Sequence, residues 1–458
     1  MTHRQSKSRV EGRGRRGMRG GLITAGVLAG VVSVPALAGP QGEQVVHGQA
    51  RFFRSGNHTQ ITTSDRAIIN YDSFNLNRFE SVRFVQPNAQ SRVLNRISSD
   101  MPTLINGSIF ANGNVYFVNR AGIYFGQNSV INVGGLYAAA GNMSNRDFLN
   151  NVNRFTDLQG AVVNRGEISA SREAHLVGRR VANFGSVVAP DGLITMSAGK
   201  DVLLGEQGGR VFARISGDAS NNGRVGVENH GVIDAGSGRV IAGVGDHFAL
   251  ALYDTSVIRG SSVRVAGGAE STVKVSGEID ATSDTGRGGS IDVLGGRVGL
   301  YGAELDASGA RAGGEIHIGG DYQGVGDRLR SEVTLVDSAT SLSVDATRHG
   351  HAGRAIVWSD GATVFRGSIS GRGQNKGGFA EVSSLGYLDF NGSFDLSGAV
   401  RNGTLLLDPK NIYITPTDVG GATAIGDVDD FSVDSSLTTT IHDDLLSSWL
   451  NGGVAGGD

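Results

Sequence analysis

Polar and apolar residues alternate along most of this chain, in runs too short for helices. In Gly353-Arg354-Ala355-Ile356-Val357-Trp358 the second and fourth residues after the glycine are apolar. The same holds for Gly378-Phe379-Ala380-Glu381-Val382-Ser383 and Gly403-Thr404-Leu405-Leu406-Leu407-Asp408, so the pattern advances in equal steps from Gly353 to Gly378 to Gly403. Gly289-Ser290-Ile291-Asp292-Val293 and Gly314-Glu315-Ile316-His317-Ile318 repeat that offset. A second series runs in step. Leu342-Ser343-Val344 aligns with Gly367-Ser368-Ile369 and Gly392-Ser393-Phe394, and Ile279-Asp280 aligns with Leu305-Asp306. Residues 321–333 read as an insertion between Gly314 and Gly353. Period-two patterning predicts strands with one buried face. A fixed offset of about 20–25 residues, with short strands and no helix, predicts coils that bury their inward residues only by stacking. Independent hairpins give no reason for a constant offset. The expected fold is all-β: a right-handed parallel β-helix (solenoid) with an N-terminal cap.

The motif Asn-x-Gly-x-Ile/Val at Asn164–Ile168, Asn183–Val187 and Asn229–Ile233 extends the solenoid toward the N-terminus. Asn and Gly tolerate left-handed backbone, so these positions are expected to turn coil corners. Tyr71, Phe74, Phe79, Phe84, Tyr116, Phe117, Tyr124 and Phe125 crowd one region and are expected to fill the core and the cap. Ile441, Leu445, Leu446, Trp449 and Leu450 fit one face of a short amphipathic helix.

Composition narrows the class. The 458 residues include 72 glycines, 7 prolines and no cysteine. Collagen is excluded by the missing triplet period, and a low-complexity chain by the 39% hydrophobic content. Without cysteine there is no disulfide, thiolate metal site or thiol chemistry. Residues 1–38 combine seven Lys/Arg and one acid, Glu11, with an apolar stretch and Ala36-Leu37-Ala38. This is the pattern of a secretory signal peptide cleaved between Ala38 and Gly39. Its removal takes the formal charge from −3 to near −9. An acidic exported chain lacks the basic footprint of a nucleic-acid binder.

Chemistry-bearing patterns are sparse. Gly12–Gly17 matches a nucleotide-loop spacing but lies inside the leader, with no strand before it. Gly319-Gly320-Asp321 and Gly243-Val244-Gly245-Asp246 are not iterated as calcium repeats are, and read as turns. Asp427–Asp430 reads as a solvated acidic loop. Asp280, Asp306, Asp345 and Asp395 recur at similar phases. They suggest either a carboxylate stripe of a polysaccharide-active enzyme or turn caps, and the turn reading is the stronger. His230, His247, His317, His349 and His351 form no ligand triad. No cofactor is expected.

Residues 70–145 are less repetitive and more specific. Val82–Asn88 runs into Arg92-Val93-Leu94-Asn95, and Ile105-Asn106-Gly107 precedes Val115-Tyr116-Phe117-Val118-Asn119-Arg120-Ala121-Gly122-Ile123. Ile131-Asn132-Val133-Gly134-Gly135 follows. This block resembles the N-terminal secretion domain of filamentous haemagglutinin/haemolysin exoproteins, the cargo of two-partner secretion. Asn119, Gly122 and Ile123 match that family's Asn-Pro-Asn-Gly-Ile motif. Arg120 and Ala121 depart from its Pro and Asn, so the turn must form in another way here. The resemblance implies a secretion domain at 39–160 with motif residues Asn95, Asn119, Gly122, Ile123, Asn132 and Gly134. β-helix repeats at 161–415 and an irregular tail at 416–458 would follow.

The resemblance also implies partners and a location. An outer-membrane barrel transporter with periplasmic domains would recognise the secretion domain. Export would run through Sec and the outer membrane of a diderm bacterium to the medium or cell surface. A non-enzymatic, adhesin-like role follows, with glycans of a host or neighbouring cell as targets. The stalk of a contact-dependent toxin and a polysaccharide-active enzyme are the alternatives. Relatives run longer, so the chain reads as a short member, an interrupted frame or a fragment.

Overall fold

The computed structural model describes residues 39–207, 210–216, 225–245, 250–254, 256–415, 427–429 and 439–442. The leader with Ala38, and His247, lie outside them. So do Leu445, Leu446, Trp449 and Leu450 of the expected C-terminal helix. Ile441 belongs instead to a strand, Thr440–His442, parallel to Tyr413–Thr415.

The chain winds as a parallel β-helix with three faces. The first face carries mostly short strands, from Ser81–Val85 to Ser393–Asp395. The second runs from Arg92–Ile97 to Thr404–Pro409. The third is an 11-stranded sheet from Thr103–Ile105 to Tyr387–Phe390. The first two faces merge into one 26-stranded sheet. They do so because Val130–Ala139 and Glu167–Gly178 continue round the corner between them.

Inward residues stack in register. Ala355, Ala380 and Leu405 lie side by side, as do Val357, Val382 and Leu407, in the equal steps that the sequence predicts. Ala355, Val357, Ala380 and Val382 are fully buried in one continuous core running from Ile61 to Leu396. The second series is shifted from expectation. Leu342 pairs with Ile369, not Gly367, a longer step than the regular one from Ile369 to Phe394. The two extra residues lie in the corner between the first and second faces, which runs over 344–353 after Ser343 but only over 371–378 after Ser370. Ile279 and Leu305 pair as expected. The insertion ends one residue earlier than expected, because Val333 opens a third-face strand.

The Asn-x-Gly motif serves a different purpose from the one expected. Neither Asn164, Asn183 nor Asn229 has a positive φ. Their amides form a buried ladder instead. Asn164 Nδ2 donates to Asn183 Oδ1 at 2.9 Å, and Asn183 Nδ2 to Asn229 Oδ1 at 2.8 Å. Asn229 passes the chain on to Ser256 Oγ at 2.9 Å. The glycine two residues on is needed for close approach: a Cβ on Gly185 would meet Gly166 O at 2.1 Å.

An antiparallel cover closes the N-terminal end. Gln44–His47 pairs with Ala67–Tyr71, and Ala50–Ser55 folds onto His58–Thr63. Both partners then begin the parallel stack, against Arg92–Ile97 and Ser81–Val85. The cover shields strand edges that would otherwise pair with other chains. Tyr71, Phe74, Phe84, Phe117 and Phe125 fill the core beneath it, whereas Phe79 and Tyr124 are exposed.

Three long excursions leave at the same corner, between the second and third faces. They are residues 141–159, the one carrying Asp201–Gln207 and Arg210–Ser216, and residues 319–332. The first two build an antiparallel three-stranded sheet and the helix Asn145–Leu149. Together they cover the outer side of the second face. A second apolar core forms there from Tyr116, Tyr137, Phe148, Phe155, Val202 and their neighbours.

Candidate functional site

The motif residues occupy successive N-terminal coils, and most face inward. Asn95 is fully buried; its Nδ2 donates to Tyr116 O at 3.1 Å, and its Oδ1 has no hydrogen-bond partner among the described residues. Asn119 is fully buried as well. Its Nδ2 donates to Met101 O at 3.0 Å and Thr103 Oγ1 at 2.9 Å. Its Oδ1 accepts from Ala121 N at 2.9 Å, and its carbonyl from Gly122 N at 3.1 Å.

Those contacts explain how a turn forms without the family's proline. The Asn119 side chain folds back on the backbone two residues on, which fixes the corner locally. Gly122 completes it at φ +126°, a conformation other residues avoid, and a Cβ there would meet Ala161 O at 2.8 Å. Ile123 then points into the core. Arg120 projects outward, and its guanidinium pairs with Asp157 at 2.6 Å. Asn132 stands apart, exposed on the first face between Phe110 and Ser169. Gly134 lies at the register shift where its strand bends between faces, and a Cβ there would meet Gly113 O at 2.7 Å.

A cleft of about 340 Å³ opens beside the Asn119 corner. Arg96, Asp100, Arg120, Asn142 and Gln159 line it, with Gly141 at the root of the first excursion. Arg96 anchors that excursion through Met143 O at 2.8 Å and Asn145 Oδ1 at 2.7 Å, and also donates to Asn70 Oδ1 on the neighbouring strand at 3.1 Å. Burial lowers the Arg96 pKa. The cleft therefore holds two guanidinium groups, each already engaged, beside Asp100 and the amides of Asn142 and Gln159. The sequence motif pointed at the buried asparagines and missed Arg96. The departure at Arg120 was the available signal.

Beneath the excursion, the Tyr116 and Tyr137 rings stack at 4.0 Å, and His175 lies 4.5 Å from Tyr137. Tyr137 donates to Glu173 Oε1 at 2.6 Å, and His175 Nε2 lies 3.5 Å from Glu173 Oε2. Burial pushes the Glu173 carboxyl up. The hydrogen bonds from His175 and Tyr137 and the charges of His175 and Arg172 outweigh it and hold the pKa at about 2.

The recurring aspartates act in turns. Asp280, Asp306 and Asp395 each accept from the backbone N–H two residues on, at 2.9, 2.7 and 3.1 Å. Burial first, then the neighbouring Asp280 and Asp345, raise the Asp306 pKa against the hydrogen bonds from Ser308. Asp345 departs from the expected phase: Ser343 takes the place beside Asp306, and Asp345 instead receives Arg372 Nε and Nη2 at 2.9 and 2.7 Å. Asp427 and Asp429 are exposed, as expected of a solvated loop, but both pair with Lys274, and Val428 between them is fully buried. Asp430 lies outside the described residues. Among the described residues no cluster of three or more His, Cys, Asp or Glu is placed to hold a metal.

With this geometry in view, comparison with known proteins is decisive. The family model described as the TPS secretion domain matches residues 36–293, more than half of the chain. The chain belongs to the TPS secretion-domain family. The crystal structure of the HMW1 secretion domain from Haemophilus influenzae superposes on this TPS chain with a TM-score of 0.72 at 28% identity. It covers 81% of this chain and 100% of that one. The Heme/hemopexin-binding protein of Haemophilus influenzae strain Rd is 29% identical over 227 residues, 47% of this chain and 25% of that protein. A second Haemophilus influenzae protein of that name is 34% identical over 93 residues, 20% of this chain and 10% of that one. The TPS chain thus spans about a quarter or less of the length of these relatives. It carries the secretion domain of a two-partner secretion exoprotein, built as a β-helix.

Proposed function

We propose that the chain is exported by an outer-membrane barrel transporter whose periplasmic domains recognise residues 39–160. In this reading the corner made by Asn119 and Gly122 presents Arg120 and the adjoining cleft to the transporter. Asn95, Ile123 and Gly134 hold the surrounding coils in place, and Asn132 offers an exposed amide on the first face. The family match over residues 36–293 carries the proposal.

The leader is removed between Ala38 and Gly39 after Sec passage. Residues 161–415 then extend the β-helix outside the cell. The chain acts there without catalysis, as an adhesin-like surface or released protein that contacts glycans of other cells. The turn roles of Asp280, Asp306 and Asp395 support the non-catalytic reading.

Expression with and without the cognate barrel transporter tests this. The chain should reach the medium only when the transporter is present, with Gly39 as its first residue. Equal release without the transporter would refute the proposal.

A further inference from the structure

The outer side of the third face is not uniformly polar. Val333, Leu335 and Val364 point outward on two neighbouring strands, Val333–Val336 and Ala362–Phe365, yet are buried. Among the described residues, Val428 packs against them and is itself fully buried in the same cluster.

The acids on either side of Val428 grip the coils before these. Lys274 Nζ reaches Asp427 Oδ2 at 2.7 Å and Asp429 Oδ2 at 2.8 Å, and the Asp429 carboxylate also accepts from Thr272 Oγ1. The backbone is read as well. Val428 N donates to Tyr301 Oη at 2.8 Å, and Arg297 Nη1 donates to Val428 O at 2.9 Å. Apolar contact, paired charges and both main-chain groups thus converge on three residues.

Thr272 and Lys274 sit on strand Thr272–Val275, and Arg297 and Tyr301 on or beside Arg297–Leu300. These strands and the two bearing the apolar residues are successive in the sheet. The receiving surface therefore exists only after four coils have stacked. The chain beyond the last coil supplies the segment, and it meets the sheet again where Leu388 N donates to Thr439 Oγ1 at 3.0 Å. A solenoid otherwise depends on contacts between adjacent coils. This one gains a contact that spans several.

We propose that Asp427-Val428-Asp429 is a latch that closes on a groove for an acidic–aliphatic–acidic tripeptide, and that it docks only after the coils spanning residues 272–365 have stacked. The latch binds the tail in cis and shields an apolar stripe of the third face. It does not depend on how the chain is exported.

Hydrogen exchange on the full chain tests both parts. The segment containing Val428 should be protected in the wild type. In Asp427→Asn/Asp429→Asn and in Lys274→Gln its exchange should quicken at least ~tenfold, while strands 272–275 and 297–300 keep their protection. A charge swap, Lys274→Asp with Asp427→Lys, should recover part of the protection. Added urea should free the Val428 segment before those strands exchange. Unchanged protection in the charge variants would overturn the latch. Protection of the Val428 segment persisting after the strands have exchanged would overturn the order of docking.

Discussion

The coils before residue 140 and those after residue 270 share one fold but are stabilised in different ways. In the later coils the core is mostly aliphatic, with Ala355, Val357, Ala380 and Val382 stacked on like neighbours. Polar side chains there serve turns, as Asp306 and Asp395 do. In the early coils the core is aromatic, and buried asparagines fix corners. An excursion adds a second apolar core outside the helix. The later region is a repeat that many sequences satisfy. The early region carries side-chain contacts that do not repeat from coil to coil, and these are what the proposed recognition would read.

Substitutions can break or sharpen this contrast. The largest effect is expected from Val382→Asp, which buries an unpaired charge in a fully enclosed stack and costs several kcal/mol, roughly 3–5. Thermal unfolding measures it, and an unchanged midpoint would mean that Val382 does not face the core. Asn183→Ala comes next. It leaves the amides of Asn164 and Asn229 without their shared neighbour, at a cost of about 2 kcal/mol. Denaturant titration should show a loss of that order, and an effect below ~0.5 kcal/mol would argue against an amide ladder.

Gly122→Ala places a side chain at φ +126° against Ala161 O, a strain of about 1–3 kcal/mol. Calorimetry on that variant gives the stability cost of the motif corner alone.

The smallest effect concerns acid. The Glu173 pKa is about 2 when folded against an ordinary value of 4.5, so its stabilising effect is present above the ordinary value. It is lost as pH falls through the folded one. Glu173→Gln should therefore lower stability at neutral pH by on the order of 1 kcal/mol and flatten the loss between pH 4.5 and 2. Parallel acid profiles for both proteins would remove this role.

The fold was legible because stacking imposes a period that survives sequence change, as Ala355, Ala380 and Leu405 illustrate. Register at Leu342 was not, because a corner can absorb two residues without altering the alternation on either side. The motif at Asn119 was visible, but its mechanics were not: proline fixes a turn through its own ring, whereas Asn119 does so through hydrogen bonds that only the coil supplies. Asp427 and Asp429 are exposed as expected, but their pairing with Lys274 was not legible, since nothing local relates them to that distant part of the chain. Asn164 and Asn183 resembled left-handed corner residues because the same residue types serve both uses.

The central claim is that recognition for export resides in the early corner and not in coil stability at large. Secretion of Asn119→Ala beside Val382→Asp, each expressed with the transporter and followed into periplasm and medium, tests it most directly. Asn119→Ala should lose its leader yet stay in the periplasm, while Val382→Asp should be exported and be merely less stable outside. Undiminished secretion of Asn119→Ala would contradict the claim.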